Sequence, residues 1–215
     1  MKEKLKNIHW LRVLVYVLGL IILAAGITLN AKTNLGMSPV ISIPFAISQL
    51  VHIKFSLMTF IYYVFLIVLQ WIMLRKDFQH IQWLQIVSSL ITSGFIQVFE
   101  DILPDFHATA LRWIFLIVAI ALTGIGASLV VGMHYVPNPA DGFASVLGLK
   151  LKKSFGFGKN VLDFSSIAIS IALGLIFTHH LLGIGWGTIV GMVLTGRVVA
   201  WFQPVSNKIF EKVSE

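Results

Sequence analysis

The chain has 215 residues, of which 57% are hydrophobic and 12% charged, with a formal net charge of +7 and no cysteine. Soluble domains carry about 25% charged residues, so the water-facing shell of such a domain is missing, and disulfides and thiolate metal sites are excluded. The basic excess fits the cytoplasmic loops of a membrane protein better than a nucleic-acid surface.

In chain order, Met1–Arg12 is basic and leads into an apolar run ending at Leu29. That run is longer than the ~7–15 residues of a signal-peptide core, so it reads as a first span, Leu11–Asn30. Pro39–Leu50 follows, a segment of 12 residues, about 18 Å as a helix and too short to cross a bilayer. Ser56–Leu74, Trp83–Leu103 and Leu111–Met133 are the next spans. A second short segment, Pro139–Lys150, precedes Asn160–Phe177 and Ile184–Phe202. Each long segment supplies roughly 20 mostly apolar residues, the length that ~30 Å of hydrocarbon requires. The fold class is an all-α integral membrane protein, one membrane domain over residues 1–215, with six transmembrane helices and two short half-helices.

The short segments start alike. Ser38 and Asn138 are N-cap residue types, Pro39 and Pro139 take the first helical position, and Asp141 falls in a first turn, where its charge suits the helix dipole. Pro44 interrupts the first segment, and apolar character continues to Ile53. A count of eight spans therefore stays open beside six plus two. The positive-inside rule puts the N-terminus in the cytoplasm through Lys2, Lys4, Lys6 and Arg12 but does not choose between the counts. Helix length favours six, which returns the C-terminus to the cytoplasm as well.

The chain also resembles itself. Aligning Gly26 with Gly126 puts Leu29 on Leu129, Ser38 on Asn138 and Pro39 on Pro139; after a short insertion Trp83 meets Trp186 and Thr92 meets Thr195. The reading is two homologous halves, 11–103 and 111–202, as in many transporters. With three spans each, the second half is turned over, an inverted 3+3 repeat.

The segments Gly26-Ile-Thr-Leu-Asn-Ala-Lys-Thr-Asn-Leu-Gly-Met-Ser-Pro39, Gly126-Ala-Ser-Leu129 with Asn138-Pro-Ala-Asp141, and Gly183-Ile-Gly-Trp-Gly-Thr-Ile-Val-Gly191 resemble the YczE/YitT-type family of small bacterial membrane proteins. That family shows a Leu-Gly-x-x-Pro turn after its first helix and a Gly-x-Gly-Thr segment opening its last. The sequence departs from it at Met37-Ser38-Pro39-Val40, where a Pro-Trp-Asp turn is missing; the second half keeps Pro139-Ala-Asp141. The resemblance implies residence in the bacterial cytoplasmic membrane and no particular mechanism. Asn138-Pro139-Ala140 also matches a water-channel signature, but there each half-helix follows two spans and here it follows one.

Candidate site residues are few. Half-helix N-termini at Ser38, Pro39, Asn138, Pro139 and Asp141 would offer backbone donors to an anion in a central cavity, or would be plain caps at a membrane surface. Asn30 and Asp163 lie near helix ends. Asp163 either pairs locally with Lys159 at a four-residue spacing or faces the cavity and carries a proton. Arg197 lies within an apolar run and needs a partner or a route to the surface. Gly183, Gly187, Gly191 and Thr195 form a small-residue stripe for helix packing. No nucleophile–base set, metal-ligand cluster or cofactor motif is present, so neither enzyme, metal nor cofactor is expected. Expected partners are the bilayer and a small solute; self-association is open and nucleic acid is not expected. The leading function is a small secondary transporter for a small anionic solute bound between the halves. The rivals are a membrane subunit of a vitamin importer and a non-transporting regulatory factor.

Overall fold

The computed structural model describes residues 10–214, and Lys2, Lys4 and Lys6 lie outside the described residues. Among the described residues there are eight α-helices: α1 (Trp10–Thr33), α2 (Pro39–Val51), α3 (Phe55–Leu74), α4 (Leu84–Ile102), α5 (Thr109–Gly132), α6 (Pro139–Lys150), α7 (Phe155–Thr178) and α8 (Trp186–Ser214). Two 3-10 turns, Arg75–Asp77 and His80–Trp83, join α3 to α4. Six helices, all but α2 and α6, are long and apolar enough to cross a membrane. The protein is a multi-pass membrane protein in contact with lipid.

Four of the six expected spans, α1, α3, α4 and α5, agree with the helices to within three residues at each end. The other two lengthen. α7 starts at Phe155 because the Ser154 hydroxyl accepts from the Phe157 N–H at 3.3 Å, and because Gly158 lets α7 sit against the backbone of Ala144 and Gly148. α8 runs through Pro204 to Ser214. Its last turns have tertiary support, since Ile209, Phe210 and Val213 pack on Tyr16, Leu20, Val130 and Met133. The Arg12 guanidinium lies 4.8 Å from the Phe210 ring and 4.3 Å from that of Tyr135, a cation–π contact that fixes this end. Helix α2 likewise continues through Pro44 to Val51 and stops at His52, whose left-handed φ of 54° ends it.

Side-chain contacts orient the helices. Lys32 and Asp105 are paired at 3.4 Å, and the Ser56 N–H donates to Glu100 Oε2 at 3.3 Å. The ends of α1 and α4 and the start of α3 therefore share one end of the bundle, called the upper end. At the lower end Arg12 Nε donates to the Met133 carbonyl at 2.7 Å and the Tyr16 hydroxyl donates to the Val136 carbonyl at 3.0 Å, so α5 descends beside α1 and finishes where α1 begins. Each short helix thus joins two long helices at the same end of the bundle: α2 returns to the upper end and α6 to the lower.

Packing is densest between α1 and α5. A Cβ on Gly26 would lie 2.5 Å from the Thr123 nitrogen and 2.9 Å from the Ala119 carbonyl, and one on Gly126 would strike the backbone of Leu23 and Gly19. The helices cross backbone against backbone, which only small residues allow. Around this seam α4 packs on α1, α8 on α5, α2 on α3 and α7, and α6 on α3 and α7; α3 packs on α4, while α7 and α8 make no comparable contact. Leu23, Ile27, Ile41, Tyr63, Leu66 and Phe143 belong to the largest buried cluster, against which α2 and α6 rest. Large apolar side chains cover the outward faces, up to Trp201, 84% exposed, as lipid contact requires.

Candidate functional site

Where α7 and α8 stand apart there is a cavity of about 660 Å³. Its upper part is walled by Leu23 and Ile27 of α1, Ser38–Ile41 at the start of α2, and Tyr63 of α3. It runs down past Asn138, Ala140, Asp141 and Ser145 at α6, Lys159 and Asp163 of α7, and Gly191, Thr195 and Val199 of α8, reaching Phe155 and Val131 at the lower ends of α7 and α5. A volume of several hundred Å³ suits a small molecule.

The two short helices present unlike N-termini to this space. Asn138 Oδ1 accepts from the Ala140 N–H at 3.0 Å, and Asp141 occupies the first turn of α6, so that end is capped and neutralised. Ser38 makes no side-chain cap, and no acid stands in the first turn of α2. The end of α2 keeps its partial positive charge. We expect Asn138→Ala to cost about 1 kcal/mol, seen as a lower unfolding temperature in detergent. Ser38→Ala should stay within about 0.5 kcal/mol of the parent, and equal losses in the two variants would refute the contrast.

The start of α6 is held from behind. Gln70 Nε2 donates to the Pro139 carbonyl at 3.2 Å and to Gln85 Oε1 at 3.1 Å, and Gln85 Nε2 returns a bond to Gln70 Oε1 at 3.2 Å. Both amides are fully buried. A Cβ on Gly142 would lie 2.8 Å from Gln70 Oε1, so a glycine at that point lets α6 lie on the amide pair. Asn30 plays the corresponding part for α2 by accepting from the Ser38 N–H at 3.1 Å.

Three charged side chains line the cavity. Lys159 Nζ is 3.6 Å from Asp141 Oδ1. Asp163 is 6% exposed and, among the described residues, makes no hydrogen bond or ion pair. Four-residue spacing points Lys159 to Asp163, yet the lysine closes on Asp141 of the neighbouring helix.

Above the cavity the chain is shut. The Met37 N–H donates to the Gly183 carbonyl at 2.8 Å, and the Gly187 N–H donates to the Leu35 carbonyl at 2.7 Å. Gly36 has φ +112°, and a Cβ there would be 2.5 Å from the Gly185 nitrogen and 2.6 Å from Thr188 Oγ1. The loop after α1 and the turn before α8 thus meet backbone to backbone.

Of the residues expected from sequence, Ser38, Pro39, Asn138, Asp141 and Asp163 come together on the cavity wall. Pro139 stands beside it, its carbonyl turned to Gln70. Asn30 lies behind Ser38, in a small recess of about 10 Å³. Arg197 is not brought to the site. It is exposed and has no ion pair among the described residues. Thr195 and Val199 face the cavity, and a residue two places from each lies on the other side of the helix. The small-residue stripe divides: Gly183 and Gly187 pack against the loop after α1, whereas Gly191 and Thr195 open into the cavity, with nothing within 4 Å of a Cβ on Gly191. Gln70, Gln85 and the Lys159–Asp141 pairing are additions that sequence reading missed. A glutamine inside the apolar run of α3 was the available signal, since intramembrane polar groups are costly unless partnered.

The profile described as "Family of unknown function (DUF6198)" matches residues 10–204. No curated protein and no solved structure matches the chain.

Proposed function

The chain belongs to the DUF6198 family, to which no activity is attached, and from its cavity we propose a small secondary permease for a small solute bearing an acidic group. The observation that carries this reading is a cavity that receives both short-helix N-termini, runs to the lower end and is closed above by a hydrogen-bonded loop and turn. A solute space shut at one end is what alternating access requires. The acidic group would meet the start of α2, whose helix dipole is offset by neither a side-chain cap nor a first-turn acid.

Inverted halves, the other element of this reading, have three supports. Left-handed backbone occurs at Asn34 and His134, with φ 54° and 51°, and at His52 and Lys152, with φ 54° and 55°. These are equivalent positions in the two halves. Gly26 packs on Ala119 and Thr123 while Gly126 packs on Gly19 and Leu23, the reciprocity expected of a two-fold axis. The Ser42–Ser170 hydroxyl contact at 2.7 Å between α2 and α7 has its counterpart where Gly142 meets Gln70 between α6 and α3. The halves differ where a transport cycle would have them differ, since α3 rests on α4 while the cavity parts α7 from α8. We further place the protein in the bacterial cytoplasmic membrane with the lower end inside, and we retain kinship with the YczE/YitT-type family as part of this proposal.

Purified protein in liposomes, offered a defined mixture of organic and amino acids, should accumulate at least one of them relative to protein-free liposomes. Asp163→Asn should reduce that uptake at least about tenfold, on the default that a buried intramembrane carboxylate serves the solute or proton path. Binding without flux would favour an importer subunit, and neither binding nor flux a regulatory factor; both outcomes overturn the permease.

A further inference from the structure

We infer that the solute also carries a protonated nitrogen, seated against Asp163, so that the cavity takes an amphoteric molecule and not a simple anion. This deepens the permease reading and rests on it.

The cavity wall holds Asp141, Asp163 and Lys159. Lys159 is committed to Asp141 at 3.6 Å, which leaves one carboxylate over. That carboxylate belongs to Asp163, 6% exposed and without a hydrogen bond or ion pair among the described residues. Asp163 and Asp141 share one lysine between them, so the mostly apolar cavity carries a carboxylate charge that is not fully offset, which is costly away from bulk water. A bare anion entering the cavity would add like charge to that cost. A protonated amine would remove it.

The opposite end of the solute has its own place. Asn138 and Asp141 already cap and neutralise the start of α6, whereas the start of α2 has neither cap nor acid. The cavity therefore presents a negative side at Asp163 of α7 and a positive side at Ser38–Ile41, the start of α2. One molecule carrying both charges satisfies each side. The rest of the lining is largely apolar, with Leu23, Ile27, Ala127 and Val199, and it suits a hydrocarbon body joining two charged groups.

The absence of cysteine from the chain makes a test direct. Single cysteines are placed at Ser145, on the negative side, and at Ser38, on the positive side. Each is treated in detergent-purified protein with a trimethylammonium-ethyl and a sulfonato-ethyl methanethiosulfonate, and the rate ratio is divided by that of a free thiol. At Ser145→Cys the cationic reagent should be favoured about tenfold, and at Ser38→Cys the anionic one, as expected for a unit charge at short range in a partly dehydrated space. Adding Asp163→Asn should abolish the first preference and spare the second. The proposal falls if Ser145→Cys shows no cationic preference, as it would were Asp163 neutralised by a proton. It also falls if the preference survives Asp163→Asn, or if both positions favour one sign. Failure of either cysteine to react with both reagents would overturn the cavity itself, and with it the permease. Intact charge preferences without flux in liposomes would overturn the permease alone. Should Asp163→Asn not fold, the opposed preferences of the two single cysteines still decide the matter.

Discussion

Gly36→Ala is expected to abolish net accumulation of solute while leaving the protein folded. Gly36 sits at φ +112° with the Gly185 nitrogen and Thr188 Oγ1 in the space a methyl group would need. The backbone conformation alone costs a non-glycine residue on the order of 1–3 kcal/mol, and the crowding adds about as much. The strain exists only while the loop after α1 is pressed on the turn before α8, so it is relieved when they part. Together these terms shift the closed–open balance by about a hundredfold or more. A permease that cannot close its upper end leaks. A cysteine at Thr195, on the cavity wall, gives a reading that does not depend on flux. A membrane-impermeant maleimide added from the upper side should label it in the Gly36→Ala background and not in the parent. Gly94→Ala, where nothing lies within 4 Å of the new methyl, should behave as the parent. Accumulation and labelling unchanged by Gly36→Ala would remove the loop and turn from the gating role.

Gln70→Leu is expected to give the larger loss of stability. The substitution leaves both the Oε1 and the Nε2 of Gln85 without partners in a fully buried place, and removes the side-chain bond that steadies the Pro139 carbonyl. Unsatisfied buried groups cost about 1–3 kcal/mol each, so roughly 2–5 kcal/mol is lost, a fall of several degrees in detergent unfolding. Gln85→Leu, which strands Gln70 Oε1 but leaves Gln70 Nε2 its bond to the Pro139 carbonyl, should lose about half as much. The double variant should be more stable than the sum of the single losses predicts, since the stranded amides are then gone together. Additive losses would mean that the two glutamines act separately. In the double variant the Pro139 carbonyl keeps its bond within α6 but loses its tie to α3, so stability is recovered while the start of α6 is less firmly placed.

These contacts mark the boundary of what sequence can tell. Apolar length revealed the spans, because a bilayer imposes it on each helix separately. The short-helix starts were legible for a similar reason: Ser38-Pro39 and Asn138-Pro139 are local signals. What depends on a neighbour was not legible. Helix α8 outlasts its apolar run because Ile209 and Phe210 dock near the start of α1, and no local pattern announces that. Lys159 lies four residues from Asp163, yet it is drawn to Asp141 across the helix interface. Arg197 shows a different gap. Its apolar surroundings signalled a cost but not a direction, and its angular distance from Thr195 on the helix was the clue that placed it away from the cavity. Gln70 and Gln85, each unremarkable alone, acquire meaning only as a pair.

The α1–α5 seam carries a mechanical consequence. Gly26 seats between Ala119 and Thr123, and Gly126 between Gly19 and Leu23, so each helix is notched into the other at two separate levels. Sliding along the seam would drive a carbonyl or an amide into its neighbour at both notches. Turning about the crossing point disturbs them far less. The seam is therefore an axle: of the two relative motions, it blocks sliding and leaves turning about the crossing as the easier one.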